Sequence, residues 1–428
     1  MTPMEDDKIK RFDMVKKPVR QKWFLMPIIW GLSFPEVFSH KTKIERVNTE
    51  GLKPPYILLC NHNAFIDFKV TTAAIFPRRA NYVVAIDGFI GREWLLRNAG
   101  CICKRKFTSD LILIRQLKRV LDNGDIAVIY PEARYSLCGT TAVLPDSLGR
   151  MVKMFKVPVV SLIMHGHHID SPFWNLKKRG VKNTEAVFTQ LYTKEELESV
   201  TPEEINARIR EAFVYDEYRW QKEKGIKVTY KDRAKGLHKV LYQCPNCQTE
   251  YKMHSSGDTI ACSACGKEWT LSEYGELAAK EGSTEFSHIP DWYEWERANV
   301  RRLVEAGDYF FESPVRVKSL PNAKKFIDIG EGVLRHDMNG FELHCENAEG
   351  EQFEMIKTVP SLYSCHIEYE YLGKFGDCID LNTLTDTYYI YPTSEEFSVT
   401  KIALATEELY NHYMSNLKKT KSKEEQSI

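Results

Sequence analysis

The sequence predicts an N-terminal α/β domain, then a zinc ribbon and a small β-rich domain that ends in a helix. Three observations support this order. Short apolar runs alternate with helical patterns up to about residue 240, two Cys-x-x-Cys pairs follow at 244–265, and short β-rich runs separated by glycines fill 315–392. With 428 residues, 43% of them hydrophobic, the chain can bury several ordinary cores.

The α/β domain is assigned to residues 51–240. Residues 110–121 repeat Leu or Ile with Arg or Lys at helical spacing and end at Asn123-Gly124, which is a helix stop signal. Residues 202–224 read as one long charged helix. Four apolar runs read as buried strands: 56–60, 82–86, 126–130 and 157–164. Strands that alternate with helices are typical of an α/β fold.

The rest of the chain divides into four further parts. They are a zinc ribbon at 241–272, a helical connector at 273–310, a β-rich domain with a C-terminal helix at 311–417, and a disordered tail at 418–428. Several antiparallel strands closed by one C-terminal helix indicate a small barrel of pleckstrin-homology-like type. Many other β-meander domains share this pattern.

Residues 1–50 form a basic N-terminal segment. Residues 1–10 are charged and lack the apolar core of a signal peptide, so none is predicted. The uncharged stretch 23–35 is shorter than the roughly 20 residues of a membrane-spanning helix. Four basic residues at 16–22 precede its aromatic and aliphatic side chains, which fits a segment lying on anionic lipid. The alternative is a helix packed on its own domain.

The two halves of the chain carry opposite charge, although the whole chain has a formal net charge of zero. Residues 1–240 contain 41 basic and 27 acidic residues, whereas 241–428 contain 18 and 32. This split indicates units with different partners. The acidity of the second half argues against a nucleic-acid partner. It favours a protein partner or an intramolecular contact with the basic half.

The cysteines indicate the compartment and a metal site. There are eleven, and seven of them show no disulfide spacing, so a reducing cytoplasm is the simplest location. Cys244, Cys247, Cys262 and Cys265 form two Cys-x-x-Cys pairs that can supply four thiolates to one tetrahedral zinc. Four thiolates leave no open position, so the zinc would be structural. The alternatives are a redox pair, which needs a strand–helix context that is not visible, or buried free thiols.

One motif points to catalysis. An apolar strand ends at Asn61, and His62-x4-Asp67 follows. Residues five apart on a helix point about 140° away from each other. The two side chains can therefore meet only if His62 lies in the turn and Asp67 in the first turn of the next helix. Asp67 would then orient His62 as a general base. A second such motif, His165-x4-Asp170, also follows an apolar strand.

Four motifs follow one another along the chain: Asn61-His62-x4-Asp67, Gly100-Cys101-Ile102-Cys103-Lys104-Arg105, Tyr130-Pro131-Glu132-Ala133-Arg134-Tyr135-Ser136 and Val157-Pro158-Val159-Val160. In content and order they resemble the four motifs of the glycerolipid acyltransferases, the family of the lysophosphatidic-acid and glycerol-3-phosphate acyltransferases. The resemblance covers the stretch from about 50 to 190. His165-x4-Asp170 lies beyond all four without a following Pro-Glu motif, and we interpret it as a loop cluster.

The third motif departs from the family pattern Phe-Pro-Glu-Gly-Thr-Arg-Ser. Ala133 replaces the glycine, so a positive φ at this position would be costly. Arg134 comes one position early, and Tyr135 stands in the usual place of the arginine. This departure indicates one of two arrangements. Either the loop is shifted so that Arg134 still reaches the substrate, or another cation binds the substrate instead. The departure also favours an acceptor that differs from the family's usual one.

The resemblance implies roles for these residues. His62, oriented by Asp67, would activate an acceptor hydroxyl for attack on an acyl thioester of CoA or acyl carrier protein. Arg105 and Arg134 would bind the acceptor phosphate, since arginine forks match phosphate oxygens. Glu132 would orient these cations or a backbone amide. The alternatives are a surface charge for Arg105, a helix cap or ion pair for Glu132, and a core histidine for His62.

The function implied by the resemblance is that of a peripheral membrane acyltransferase on the cytoplasmic face of the membrane. Its acceptor would be a lysophospholipid, with 1-acyl-glycerol-3-phosphate first, giving phosphatidic acid. Two alternatives stay open. One is a catalytically degenerate membrane-docking scaffold whose zinc ribbon and β module recruit a partner. The other is an acyl thioester hydrolase with water as the acceptor.

Overall fold

Three β-sheets organise the chain in the computed structural model, which describes residues 10–347, 349–371 and 375–426, with side chains up to residue 420. The first sheet has seven strands in the order β1-β7-β6-β2-β5-β3-β4. Its strands are β1 Lys43–Val47, β2 Ile57–Cys60, β3 Ala80–Ala85, β4 Cys101–Lys104, β5 Ile126–Ile129, β6 Val159–His165 and β7 Glu185–Tyr192. Neighbours are parallel except β6 and β7. The four predicted strands coincide with β2, β3, β5 and β6.

Nine helices accompany this sheet in the described part of the chain. They are α1 Met26–Ser39, α2 Ile66–Ile75, α3 Glu93–Asn98, α4 Leu111–Asp122, α5 Leu148–Phe155, α6 His167–Asp170, α7 Glu196–Ser199, α8 Pro202–Ala212 and α9 Glu217–Glu223. β1 pairs with β7, so the sheet begins inside the predicted segment 1–50. Among the described residues, no helix is both long enough and apolar enough to span a bilayer.

The single long helix predicted for 202–224 is wrong, because the chain forms α8 and α9 with a break between them. Thr201 begins α8 with a capping box. Asp216 caps α9, since its carboxylate accepts hydrogen bonds from the backbone amides of Tyr218 and Arg219. Tyr215 lies in this break, and its hydroxyl donates a hydrogen bond to Glu132.

A four-stranded antiparallel sheet and a long helix follow. The strands are β8 Met253–Ser256, β9 Thr259–Cys262, β10 Glu268–Leu271 and β11 Leu277–Ala279, in the order β11-β10-β9-β8, and the helix is α10 Ile289–Ala306. β11 lies within the predicted helical connector, so the small sheet extends past the predicted end of the ribbon at residue 272. Trp269 of β10 and Trp292 of α10 are fully buried against each other, with ring centroids 5.0 Å apart.

The third sheet has seven antiparallel strands in the order β15-β14-β13-β12-β18-β17-β16. They are β12 Phe310–Ser319, β13 Ile327–Asp337, β14 Gly340–Glu346, β15 Gln352–Thr358, β16 His366–Glu368, β17 Cys378–Asn382 and β18 Thr387–Pro392, and α11 Val399–Gln426 follows. This is a β-rich region with a C-terminal helix, as predicted, while its pleckstrin-homology-like identity stays a prediction.

The predicted disordered tail at 418–428 is corrected by α11, which continues to Gln426. The Lys, Glu and Gln residues of this stretch have good helix propensity, which outweighs their high charge. Residues 427 and 428 lie outside the described residues.

The β-rich region packs directly on the N-terminal part of the chain. The backbone amides of Phe12 and Gly91 donate to the carbonyl oxygens of Pro321 and Ala323, both at 2.9 Å. Tyr389 of β18 is buried in the same apolar cluster as Phe12. The oppositely charged halves are therefore in intramolecular contact, and apolar packing contributes to that contact. A separate protein partner stays a prediction.

Candidate active site

The His62–Asp67 pair forms at the carboxyl end of β2. His62 lies in the turn after the strand, and Asp67 is the second residue of α2. His62 Nδ1 lies 3.2 Å from Asp67 Oδ2, the arrangement that the five-residue spacing requires. The Asn61 side chain fixes the turn to β6, because it donates to the Met164 carbonyl at 2.9 Å and accepts from the Met164 amide at 2.8 Å.

Asp67 is completely buried and makes four hydrogen bonds. Besides His62, it accepts from the backbone amides of Asn63 at 2.6 Å and Ala64 at 2.9 Å, and from His167 Nδ1 at 2.6 Å. Burial by itself raises the pKa of Asp67, but the hydrogen bonds from His167 and His62 outweigh it and lower this pKa to about 2. An ionised Asp67 keeps the proton of neutral His62 on Nδ1 and leaves Nε2 unprotonated.

The His62 ring lies between two tyrosine rings. Its centroid is 4.4 Å from that of Tyr130 and 4.3 Å from that of Tyr135. These contacts restrict rotation of the imidazole. The His62 side chain is nevertheless 24% exposed. Tyr135, which stands where the resemblance expects arginine, therefore contacts the proposed base directly. The imidazole is held in place and still accessible, which a general base requires.

Glu132 is buried and binds backbone amides. Its carboxylate accepts from the amide of His62 at 3.1 Å and from that of Ala142 at 2.8 Å, and the Tyr215 hydroxyl donates to it at 3.0 Å. Burial raises the pKa of Glu132 to about 8. Glu132 was expected to orient either the two arginines or a backbone amide, and the structure shows it bound to backbone amides. These bonds connect the third motif to the turn that carries His62.

Arg105 and Arg134 bind the β-rich region and α11. The Arg105 guanidinium, 1% exposed, donates to the carbonyl oxygens of Leu320 and Pro321, both at 3.1 Å. Arg134 pairs with Glu407 of α11 at 2.6 Å. Both guanidinium groups are thus buried in contacts within the chain. Their predicted role in binding phosphate stays a prediction, and these contacts give it no support.

A large cavity opens from His62. Its volume is about 1440 Å³, and it extends between the first sheet and the C-terminal region. Much of the wall is apolar, including Ile28 and Leu32 of α1, Leu113 of α4 and Met414 of α11. A group of ionisable side chains lies in the same wall, namely Asp87, Lys106, His366 and Glu368. The cavity therefore combines a large apolar space with a polar corner.

Residues 38–165 match the family model described as Acyltransferase, a range that contains His62, Asp67 and all four motifs. The chain contains an acyltransferase-like domain. Among solved structures, it is similar to the 1-acyl-sn-glycerophosphate (LPA) acyltransferase PlsC from Thermotoga maritima, with 14% identity, a TM-score of 0.37, and coverage of 44% of this chain and 77% of that chain. None of the curated proteins compared with the chain matches it.

Sequence reasoning missed His167 in this acyltransferase-like domain. His165 and Asp170, the second His-x4-Asp motif, do not bind each other: His165 pairs with Glu217, and Asp170 with His40. Instead, His167 of the same segment binds Asp67. The available signal was its position just after β6, because the carboxyl ends of neighbouring parallel strands lie at one edge of the sheet.

The four paired cysteines converge outside the acyltransferase-like domain. Their sulfur atoms all lie within 4.8 Å of one another, with 3.7 Å between Cys244 and Cys265 and 3.8 Å between Cys247 and Cys262. A tetrahedral zinc with bonds of about 2.3 Å separates its sulfur ligands by about 3.8 Å. The distances between the sulfur atoms therefore fit one tetrahedrally coordinated metal ion. That this ion is zinc stays a prediction.

The Cys247→Ala variant should lose this metal. We expect the zinc content of the purified protein to fall from about one equivalent per chain to nearly zero, because three thiolates hold zinc far less tightly than four. Elemental analysis measures the zinc, and limited proteolysis should show faster cleavage within 244–279. Cys345→Ala, a buried cysteine outside the cluster, is the control and should keep its zinc. Equal zinc in both variants would refute the site.

Proposed function

We propose that the protein transfers a fatty acyl group from acyl-CoA or acyl carrier protein to the hydroxyl of a lysophospholipid, with 1-acyl-glycerol-3-phosphate as the acceptor and phosphatidic acid as the product. The observation that carries this proposal is the His62–Asp67 pair, which opens on a large apolar cavity within the acyltransferase-like domain.

The proposed reaction needs no acyl-enzyme. His62 Nε2 takes the proton from the acceptor hydroxyl as its oxygen attacks the thioester carbonyl carbon, and buried Asp67 stabilises the imidazolium. The tetrahedral intermediate collapses as the carbon–sulfur bond breaks. The thiolate then takes the proton from His62, which restores the neutral ring. The products are an ester and a free thiol, and the side chains return to their starting state.

The cavity suits two substrates with long chains. Sites for a single small ligand measure about 300–1,000 Å³, and this cavity exceeds that range. Side chains at its edge are both exposed and apolar: Ile28 is 57%, Leu32 67% and Leu111 73% exposed. We propose that this edge rests on the lipid surface, so that an acyl chain enters without crossing water. Peripheral attachment to a membrane follows from this proposal, and the cytoplasmic face is the one proposed because a reducing compartment suits the free cysteines.

Other cations supply the phosphate contact in this proposal, since Arg105 and Arg134 are engaged elsewhere. Arg92, Lys104 and Lys106 line the cavity, and Arg92 is exposed. Burial lowers the pKa of Lys104 to about 8, so this side chain gains from binding an anion. The thiolate cluster holds a structural zinc, and the β-rich module, a pleckstrin-homology-like fold, is accessory to the chemistry.

A panel of acceptors tests the proposal. Purified protein is incubated with a labelled acyl thioester, of CoA or of acyl carrier protein, and with lysophosphatidate, glycerol 3-phosphate, other lysophospholipids or no acceptor. Lipids are identified by mass spectrometry. We expect labelled phosphatidic acid from lysophosphatidate. Free fatty acid alone would identify a thioester hydrolase, and unchanged acyl-CoA and acyl carrier protein thioesters with every acceptor would identify a scaffold. Either result overturns the proposed function.

A further inference from the structure

A second group of potential ligands lies in the wall of the cavity. His366 of β16 is directly opposite Asp380 of β17 in the antiparallel register, and Glu368 is two residues along the same strand. Residues two apart on a strand and directly opposite on its neighbour share one face of the sheet. His366 and Glu368 line the same cavity as His62. The β-rich region thus places three metal-binding side chains together beside the proposed active site.

The spacing of the donor atoms fits one metal ion. All three lie within 4.8 Å of one another, with His366 Nε2 at 2.8 Å from Glu368 Oε1 and 3.8 Å from Asp380 Oδ2. An octahedral ion with bonds of about 2.1 Å separates adjacent ligands by about 3.0 Å and opposite ligands by about 4.2 Å. The observed distances lie near this range, so only small side-chain movements would complete the coordination.

Asp380 lacks the partners that a buried carboxylate needs. Its side chain is 2% exposed, and Oδ1 has no hydrogen-bond partner among the described residues. The Lys106 ammonium lies only at the limit of an ion pair, 4.0 Å away from Oδ2. An unpaired buried charge is expensive, so this carboxylate needs a proton or a cation.

The charges around the group favour a divalent cation. Asp87 and Glu368 both lie close enough to Asp380 to act on its charge, and all three carboxylates act on the ammonium of Lys106. Three carboxylates and one ammonium leave an excess of two negative charges when all are ionised. One divalent cation would balance this excess, and it would satisfy Asp380 at the same time.

We propose that His366, Glu368 and Asp380 bind one hard divalent cation, Mg²⁺ or Mn²⁺. The two carboxylates suit either ion, and Mn²⁺ also accepts an imidazole nitrogen, whereas the four thiolates at Cys244–Cys265 select zinc. Three protein ligands leave positions for oxygen atoms of water or of a molecule in the cavity. This site does not depend on the proposed acyl transfer, because cation binding is measured without substrate.

Titration with Mn²⁺ followed by electron paramagnetic resonance tests the site on the full chain as purified. We expect one saturable Mn²⁺ per chain. Asp380→Asn and Glu368→Gln should each weaken Mn²⁺ binding by at least about tenfold. Both substitutions keep the side-chain size and remove a buried charge, so the variants should fold, which unchanged zinc content and thermal unfolding verify.

Glu370→Gln is the matched control. Glu370 lies two residues beyond Glu368, but its side chain is 71% exposed and pairs with Lys239 outside the cavity wall. This variant should bind Mn²⁺ as the wild type does. Absence of saturable Mn²⁺ binding in the wild type would overturn the proposal, and so would equal affinity in the wild type, Asp380→Asn and Glu368→Gln.

Discussion

The His62→Ala variant should lose acyl transfer by a factor of about 10²–10⁴ and still fold as the wild type does. The loss follows because no other base replaces the oriented imidazole, whose Nδ1 is bound by Asp67 and whose ring lies between Tyr130 and Tyr135. The loss of activity is measured as the rate of thiol release from acyl-CoA in the presence of lysophosphatidate. Because substrate binding should persist, the loss should fall on kcat more than on KM.

His165→Gln is the control for this prediction. His165 belongs to the second His-x4-Asp motif, is the last residue of β6 and binds a carboxylate, that of Glu217. It contacts Trp220 by stacking and is outside the lining of the cavity. The variant should keep acyl transfer within a few-fold of the wild type. Wild-type turnover by folded His62→Ala, or a comparable loss in His165→Gln, would refute His62 as the base.

The sequence predicted the parts of the site that depend on neighbouring residues. The His62–Asp67 contact closes over five positions, so strand, turn and helix signals were enough to predict it. The motif also suggested that a positive φ at Ala133 would be costly. The φ of Ala133 is +56°, so this residue carries the strain expected for a side chain in the left-handed region. By contrast, the bond from His167 to Asp67 joins residues one hundred positions apart. Only the order of the strands brings them together.

The fate of the two arginines could not be predicted for the same reason. The partners of Arg105 and Arg134 lie more than two hundred positions away, in the β-rich region and α11. A local motif shows that an arginine is present. It does not show whether a later segment of the chain accepts the hydrogen bonds of that arginine. The resemblance covers only the part before residue 190. It therefore carries no information about a C-terminal region that packs against the same motifs.

The Glu407→Gln variant should be strongly destabilised, by about 3–5 kcal/mol in the free energy of unfolding. Glu407 is completely buried and accepts from Arg134 at 2.6 Å, from Arg297 at 2.7 Å and from Ser364 at 2.7 Å. Glutamine removes the negative charge and leaves the buried guanidinium of Arg134 without its counter-ion, while Arg297 keeps only Glu294 and Glu408. Denaturant unfolding at pH 7 measures the change. Glu396→Gln, which breaks an exposed pair with Lys252, should cost less than about 1 kcal/mol.

The same variant should show a defined dependence on pH. Burial by itself raises the pKa of Glu407, but Arg134 and Arg297 outweigh it, so the folded pKa lies below the ordinary value of 4.5. A lowered carboxyl pKa stabilises the fold fully above the unfolded value, and that stabilisation disappears as the pH falls through the folded value. The stability gap between wild type and Glu407→Gln should therefore be constant from pH 6 to 8 and narrow below about pH 4.5. A gap that does not change with pH would show that lost packing, and not lost charge, destabilises the variant.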